Sequence, residues 1–510
     1  MLRCLLFSYG YDRIGANRDA HLYVFFCKYN LSIKKQNAFK REVSLTMALT
    51  FRGGSHVREY KNTRNCPIET MPAPEKVYIS MAQHIGAPCA PLVQCGEHVL
   101  RGQCIGAVTT GLGCPVHASV SGTVCSIAEK TTPSGAKVCY VTIENDGQNQ
   151  IDPALQPYNG KISALTPEQI IETVRQAGIC GMGGAMFPTY AKLSSALGKV
   201  DRVIVNCAEC EPFITANHRL LLENASAVIG GLKILLRALG VRQGTIAVED
   251  NKADAIRKLR HMTKDSPIVK IAVLKTKYPQ GDERQLIYAL TGKELPTGKL
   301  PADVGCVIFN AETCAAVYAA FAQGLPLIER ILTCDGDCVR TPKNLLVPIG
   351  TPLRDVIAAC GGLQAQPSKI INGGPMMGTA QWDVDTPVTK GTSSVLVFSE
   401  KMAPANAQAP VCIRCGRCVA NCPMRLMPVY AARYAKLGDY DAAQRYDIMS
   451  CVECGTCSYN CPGGVPLVQY IRKGKAQIRE KQKAMDAALR KAQVTPTPLA
   501  PQSPKGGTPS

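Results

Sequence analysis

Cys412-Ile413-Arg414-Cys415-Gly416-Arg417-Cys418-Val419-Ala420-Asn421-Cys422-Pro423 returns in the same form at Cys451-Val452-Glu453-Cys454-Gly455-Thr456-Cys457-Ser458-Tyr459-Asn460-Cys461-Pro462. Each copy reads C-x2-C-x2-C-x3-C-P, the spacing in which three close thiolates hold three irons of one cubane while the fourth crosses to the other. On that rule Cys412, Cys415, Cys418 and Cys461 hold one 4Fe-4S centre, and Cys451, Cys454, Cys457 and Cys422 hold the second. Zinc sites use four ligands, usually as two C-x2-C pairs, and give no reason for a third step or for the proline. A disulfide framework belongs to small secreted domains in oxidising compartments. The proline cannot donate a hydrogen bond and turns the chain away from the cluster. Gly416 and Gly455 stand where backbone must wrap closely around sulfur. Electrons therefore pass through this chain one at a time.

A chain of 510 residues exceeds one ordinary core and implies several domains. Seventeen of its 25 cysteines lie outside the doubled motif with no regular spacing, which reads as free thiols in a reducing compartment. Cys207 and Cys210 are among them and read as small apolar filler. No stretch approaches the ~20 apolar residues a spanning helix needs. The net charge of +19 is concentrated at the ends: residues 1–46 carry eight Lys/Arg against three Asp/Glu, and residues 471–510 carry nine against two. The middle has no aromatic-interleaved basic stripe, so nucleic acid is not expected, and basic ends suit an anionic membrane surface or acidic partner subunits. Residues 1–46 read as an atypical N-terminal extension, with Met47 as the expected start of translation.

Working back from the cysteines, the spacing of apolar runs and breakers divides the chain. Residues 47–150 hold short β runs such as Val77-Tyr78-Ile79 and Val138-Cys139-Tyr140-Val141-Thr142-Ile143, punctuated by glycine, and predict a small all-β domain. His84, His98 and His117 fall there without ligand spacing and are expected to be surface or hydrogen-bonded residues. Over 151–330 helix and strand alternate: Thr166-Pro167-Glu168 opens a helix, Val203-Ile204-Val205, Thr245-Ile246-Ala247-Val248 and Ile268 to Leu274 are strands, and Ala225 to Leu239 is a helix. Residues 331–400 form a small α+β module and 401–470 the cluster domain. In 471–510 a basic helix, foreseen over Val468 to Gln493, leads to a Pro/Ser/Thr/Gly-rich tail expected to be disordered.

Within the alternating region, Gly178-Ile179-Cys180-Gly181-Met182-Gly183-Gly184-Ala185-Met186-Phe187-Pro188-Thr189 concentrates glycines that let backbone N–H groups approach an anion. It matches neither a G-x-G-x-x-G fingerprint nor a Walker A loop. Lys192 follows within reach of a phosphate or ring oxygen. Asn206-Cys207-Ala208-Glu209-Cys210-Glu211-Pro212 leaves a strand end, where α/β folds place ligands. Tyr278-Pro279-Gln280-Gly281-Asp282-Glu283 and Asn310-Ala311-Glu312-Thr313 add two more polar loops.

These four loops, in this order, resemble the flavin-binding core of the NADH-oxidising (51-kDa) subunit of respiratory complex I, with its R-G-x-G-G-A-G-F-P, N-x-x-E-x-E-P, Y-x-x-G-E-E and N-V-E-T segments. Met186 replaces a glycine of that loop, and Ala208 an acidic residue. Over roughly 47–480 the arrangement more closely resembles the RnfC/RsxC family of Rnf electron-transport complexes, including Ile85-Gly86-Ala87-Pro88, Pro115 to Gly122 and Leu300 to Gly305. The resemblance implies a multidomain α/β protein: a β barrel-sandwich domain, an α/β flavin-binding domain, a β-grasp (SLBB) domain and an α-helical two-cluster ferredoxin domain. It implies FMN and NAD(H) held by Gly181, Gly183, Gly184, Lys192, Asn206, Glu209, Glu211, Tyr278, Gly281, Asp282, Glu283, Asn310 and Thr313. Glu209, Glu211 and Glu283 would then position ribose, nicotinamide amide or water, and no residue is assigned as a catalytic acid or base.

A flavin is what joins hydride chemistry to single-electron clusters. The resemblance further implies partners among Rnf membrane and iron–sulfur subunits, exchange with ferredoxin through them, coupled Na+ or H+ movement, and docking on the cytoplasmic face of the cell membrane. Two alternatives remain from sequence: a soluble flavin and iron–sulfur reductase of the cobalamin reductase type, whose clusters precede its β-grasp domain, and a wiring subunit without flavin.

Overall fold

In the computed structural model, residues 48–132, 135–404 and 410–494 are described. The expectations for the N-terminal extension, the start codon and the tail beyond 494 lie outside them. Strands Lys76–Ser80, Lys137–Asn145, Gly122–Thr131 and His98–Val99 form an antiparallel sheet in that order. It closes over a three-stranded sheet of Ala90–Pro91, Cys104–Ala107 and Val116–His117. Alternating β-branched residues fill the space between them, with Val77, Ile79, Ile105, Val116, Val141 and Ile143 fully buried. This is the barrel-sandwich.

The α/β region is built on a parallel sheet ordered Val269–Leu274, Gly244–Glu249, Arg202–Cys207, Cys306–Asn310. Its helices follow from local signals. Thr166 caps Pro167–Gln176 through a reciprocal box with Gln169, with proline in the first turn. Asn224 caps Ala225–Leu239, which ends at Gly240 in the left-handed region. That helix packs against Ala311–Ala322 so closely that a Cβ on Gly231 would lie 1.8 Å from the Cys314 carbonyl oxygen. Leu232, Leu235, Val228, Cys314 and Val317 are buried between helices and sheet. The sheet fixes the site: after three strands laid down in one direction, the chain returns to place Cys306–Asn310 on the free side of Arg202–Cys207. A crevice is left at the carboxyl ends of those two strands, the position where open α/β sheets take ligands.

A six-stranded mixed sheet follows, in the order Ile68–Thr70, Lys343–Pro348, Glu329–Asp335, Ser394–Phe398, Lys369–Asn372, Thr379–Gln381, with helix Leu353–Ala359 on it. Its edge strand comes from before the barrel, pairing Ile68–Thr70 parallel to Asn344–Leu346. The cysteine domain is helical: Arg417–Ala420, Pro428–Leu437, Tyr440–Arg445, Thr456–Tyr459 and the long Leu467–Val494. Ala431, Ala432, Ala435 and Ala443 let its helices approach closely around Ile448, Ile471 and Ile478. Among the described residues no helix is long and apolar enough to cross a membrane.

Candidate functional site

The glycine loop starts where an interdomain lysine holds it. Lys390, 1% exposed, donates from Nζ to Pro115 O at 2.9 Å and Gly178 O at 2.7 Å. The turn is then closed by Gly181 N to Phe187 O at 2.8 Å and Met186 N to Gly181 O at 3.1 Å. Gly183, Gly184 and Ala185 are exposed, and a Cβ on Gly184 would meet nothing within 4 Å. Met186, in the place of a glycine, keeps a left-handed φ of +50°. Its side chain lies on Gly391, where a Cβ would be 2.5 Å from the methionine sulfur. A glycine in the neighbouring loop thus makes the room that Met186 occupies.

Beneath the loop, Met182 N donates to Thr313 Oγ1 at 3.0 Å, and Arg330 Nη2 meets Met182 O at 3.4 Å. Arg330 is buried against Glu312, 2.6 Å from Nη2 to Oε2. Burial pushes the Glu312 carboxyl up and Arg330 pulls it back. Asn310 caps its helix by accepting from Glu312 N, and its side chain is the nearest neighbour of Gly183. Asn206 lies in register with it across the sheet. Asn206 Nδ2 donates to Gly281 O at 2.8 Å, and its Oδ1 accepts from Ala208 N at 3.0 Å. Lys192 Nζ is 3.3 Å from Glu283 Oε1 and donates to Ile308 O at 3.0 Å. Asp282 caps the Glu283–Thr291 helix, its carboxyl pushed up to about 6 by burial. Gly181, Gly183, Gly184, Lys192, Asn206, Gly281, Asp282, Glu283, Asn310 and Thr313 are therefore gathered at the crevice.

Three residues quoted with them have other engagements. Glu209, 5% exposed, accepts from Asn217 N at 2.7 Å at the start of helix Ala216–Glu223. Burial raises its pKa against the pull of Lys61 and Lys252. Glu211 accepts from Met376 N and Met377 N, each at 3.0 Å, in the β-grasp loop Gly373–Gly378. Burial pushes its carboxyl up to about 7. Tyr278, 1% exposed, donates from its hydroxyl to Cys454 O at 2.7 Å. A cavity of about 350 Å³ beside the same segment is lined by Lys61, Glu209, Cys210, Glu249 and Tyr278 among others, none from the glycine loop.

That last bond leads into the cysteines. Both motifs have the same backbone. Arg414 and Glu453 take φ +56° and +57°, and Gly416 and Gly455 take +73° and +77°. Asn421 and Asn460 each donate 2.9 Å back to the carbonyl of Arg417 or Thr456. Cys422, Cys451, Cys454 and Cys457 wall one cavity whose other lining includes Ala431, Ile448, Val468 and Ile471. The crossover cysteine thus joins the later triplet, as the motif requires. Burial pushes Cys454 up to about 11 and Cys457 up to about 12. Burial raises the pKa of Cys418, and Cys415 and Cys461 both lie near enough to add to that rise. Among the described residues no three His, Cys, Asp or Glu side chains converge as they would on a single metal ion. The donor set suits a cluster: thiols only, left-handed backbone between ligands, and apolar walls. The crevice likewise suits a flavin phosphate, since the glycines of the loop are exposed and leave room for an anion to approach the backbone.

Of the barrel histidines, His84 bonds Cys114 O at 2.9 Å and His98 bonds Asp146 at 2.9 Å. His117 is buried, which lowers its pKa to about 3. Burial raises the pKa of Cys207 and Cys210.

Comparison with known proteins agrees with this order of domains. The RnfC barrel sandwich hybrid domain matches residues 49–148, the Nuo51 FMN-binding domain 174–319, the SLBB domain 331–380 and a 4Fe-4S dicluster domain 405–462. The C subunit of the Na(+)-translocating ferredoxin:NAD(+) oxidoreductase complex of Acetobacterium woodii is 45% identical, over 84% of this chain and 97% of that one. Its proton-translocating counterpart from Clostridium ljungdahlii is 43% identical over 86% and 96%. The C subunit of the ion-translocating oxidoreductase complex of Rhodobacter capsulatus is 41% identical over 85% and 84%. The chain belongs to the RnfC family.

Three residues of this RnfC-family chain organise the site without any local signal in the sequence. Lys61 donates to the carbonyls of Glu209, Glu211 and Ile214 at 2.8, 2.8 and 2.6 Å, and so shapes the segment after the strand. Arg330 and Lys390 hold the glycine loop from the β-grasp region. None of them belongs to a motif, and only the fold supplies the carbonyls it serves.

Proposed function

We propose that the chain transfers electrons between NAD(H) and single-electron carriers, as the peripheral flavin and iron–sulfur subunit of a membrane-bound ferredoxin:NAD+ oxidoreductase coupled to Na+ or H+ translocation. The observation that carries this is the Tyr278 hydroxyl on Cys454 O, which joins a loop of the flavin crevice to the backbone of a cluster ligand. A bound FMN would supply hydride exchange with nicotinamide and single-electron exchange with the clusters. The chain's own part is positional. The amides of Gly183 and Gly184 and the ammonium of Lys192 would hold the phosphate end. Asn206 and Asn310 would orient what lies between the two strand ends, with Glu283 at the mouth. Glu209 and Glu211 set the loop's shape from behind, through their bonds to Asn217, Met376 and Met377. Cys451, Cys454, Cys457 and Cys422 would hold the cluster next to the flavin domain, and Cys412, Cys415, Cys418 and Cys461 the outer one. The basic C-terminal helix and the complexes to which the relatives belong support placement at the cytoplasmic face of the membrane.

Anaerobic purification of the full chain, with iron, sulfide and released flavin quantified, should give about eight irons per chain and FMN, and NADH should bleach the visible spectrum and produce a reduced-cluster EPR signal. Full iron with no NADH response in the presence of added FMN would leave only a wiring subunit.

A further inference from the structure

The two cysteine motifs share a backbone, but among the described residues they are unequally covered: the end of the first, at Asn421 and Cys422, packs against Gly53 and Gly54, while its first two cysteines lie open. Around the second, Glu453 is paired with Lys475 at 2.6 Å and Arg472 at 3.4 Å, and Gly455 lies against Met376 O. Around the first, residues 411–417 are all exposed. Val411 is 63% and Ile413 62% exposed. Val411 is held in place: its N donates to Gly463 O at 3.1 Å, and a Cβ on Gly463 would lie 1.9 Å from Val411 O. The backbone anchoring it is the turn after Cys461-Pro462, so the presentation is fixed to the ligand loops.

We propose that Val411, Ile413, Arg414 and Arg417, around Cys412 and Cys415, form the docking surface for an acidic protein that carries single electrons. The proposal rests on the reading of the motifs as 4Fe-4S ligands. Its charge argument is internal to the chain. Where the second motif has Glu453 and Thr456, the first has Arg414 and Arg417. Residues 410–427 contain three arginines and no Asp or Glu. Arg425 is satisfied by Glu294 at 2.6 Å, whereas the guanidinium groups of Arg414 and Arg417 have no partner among the described residues. Two exposed apolar side chains flanked by unpaired cations complement an acidic surface with a small apolar centre, the usual anatomy of an interface steered by charge. The outer cluster beneath them is the one an incoming carrier can reach.

The test uses the full chain with clusters reconstituted and reduced by dithionite, and a small acidic two-cluster ferredoxin as the probe, with affinity measured across a salt series. The double variant R414E/R417T installs what the second motif already carries at the same backbone positions, so the loops accept these residues. It should raise Kd about tenfold and flatten the salt dependence with iron and sulfide unchanged. Ile413→Ser should weaken binding while leaving the salt slope as it was. Binding by the iron-replete double variant equal to the parent's, or no binding by the parent, would overturn the proposal. So would an Ile413→Ser variant that turns a dimer into a monomer in sedimentation, or loss of binding to anionic vesicles in its place. NADH takes no part in this assay, so the docking face and the NADH-to-cluster reading fail separately.

Discussion

From Cys412 to Cys422 the chain repeats what it does from Cys451 to Cys461, down to the left-handed residues before and after the second cysteine and the asparagine that bonds back to the short helix. The surroundings of their leading cysteines differ. The second motif is roofed by Tyr278, Met376 and Lys475, and the first presents Val411 and Ile413 to solvent. Ligand geometry is thus a local property of twelve residues, while solvent access, nearby charge and hydrogen bonding, which set a cluster's potential, come from residues far away in the chain. On the proposed function, the covered motif is the inner relay and the open one the terminal.

The sharpest way to break this comparison is to remove one ligand from each site. Cys422 walls the cavity shared with the later triplet and the apolar centre of the domain. Cys422→Ala should lower iron from about eight to about four or fewer per chain and bring a clear fall in the thermal transition. Cys412 is exposed, and Cys412→Ala should leave about four irons, the EPR signal of the inner cluster and nearly the parental transition. Equal falls of the thermal transition in the two variants would mean that the difference in cover has no energetic weight.

A smaller effect separates the charges at the third position of each motif. Lys475, 4% exposed, serves Cys451 O at 2.7 Å and Glu453 at 2.6 Å. Lys475→Met leaves both without that partner and should cost about 2 kcal/mol in urea unfolding, below the range for fully buried pairs because Glu453 is a quarter exposed. Arg414→Met should change stability by less than about 0.5 kcal/mol. The cation in the first motif then has no folding role to explain its presence.

The cysteine spacing made the two turns legible because each motif encodes its own backbone. Thr166 marked a helix start by the same local logic, and it accepts a capping bond; the caps at Asn224 and Asp282 were not read from the sequence. What escaped the sequence is long-range. Glu209 and Glu211 read as loop carboxylates facing a ligand, but the segment turns them toward a helix start and toward the β-grasp loop. Lys61, Arg330 and Lys390 belong to no motif, and their carbonyl partners lie up to 275 residues away. Met186 was visible as a departure from a glycine, whereas its compensation by Gly391 was not, since the two meet only in three dimensions. The unequal cover of the two motifs is of this kind.

The mildest prediction concerns the strut that holds part of that cover. Glu211 binds the amides of Met376 and Met377, and Met376 O lies over Gly455. Burial pushes its carboxyl up to about 7, with those two amides and Lys61 pulling the other way. A carboxyl whose pKa is higher in the folded chain than in the unfolded one binds more protons when folded, so its contribution is fully present below the unfolded value near 4.5 and is lost as pH rises toward 7. For one proton the slope is at most about 1.4 kcal/mol per pH unit. Urea titrations between pH 5 and 7.5 should therefore show stability falling with pH in the parent and less steeply in Glu211→Gln. The same variant should loosen the loop over Gly455 and shift the inner cluster's EPR signal while leaving the outer one in place. A shift of both signals together would show that the roof is shared, and would erase the distinction between relay and terminal.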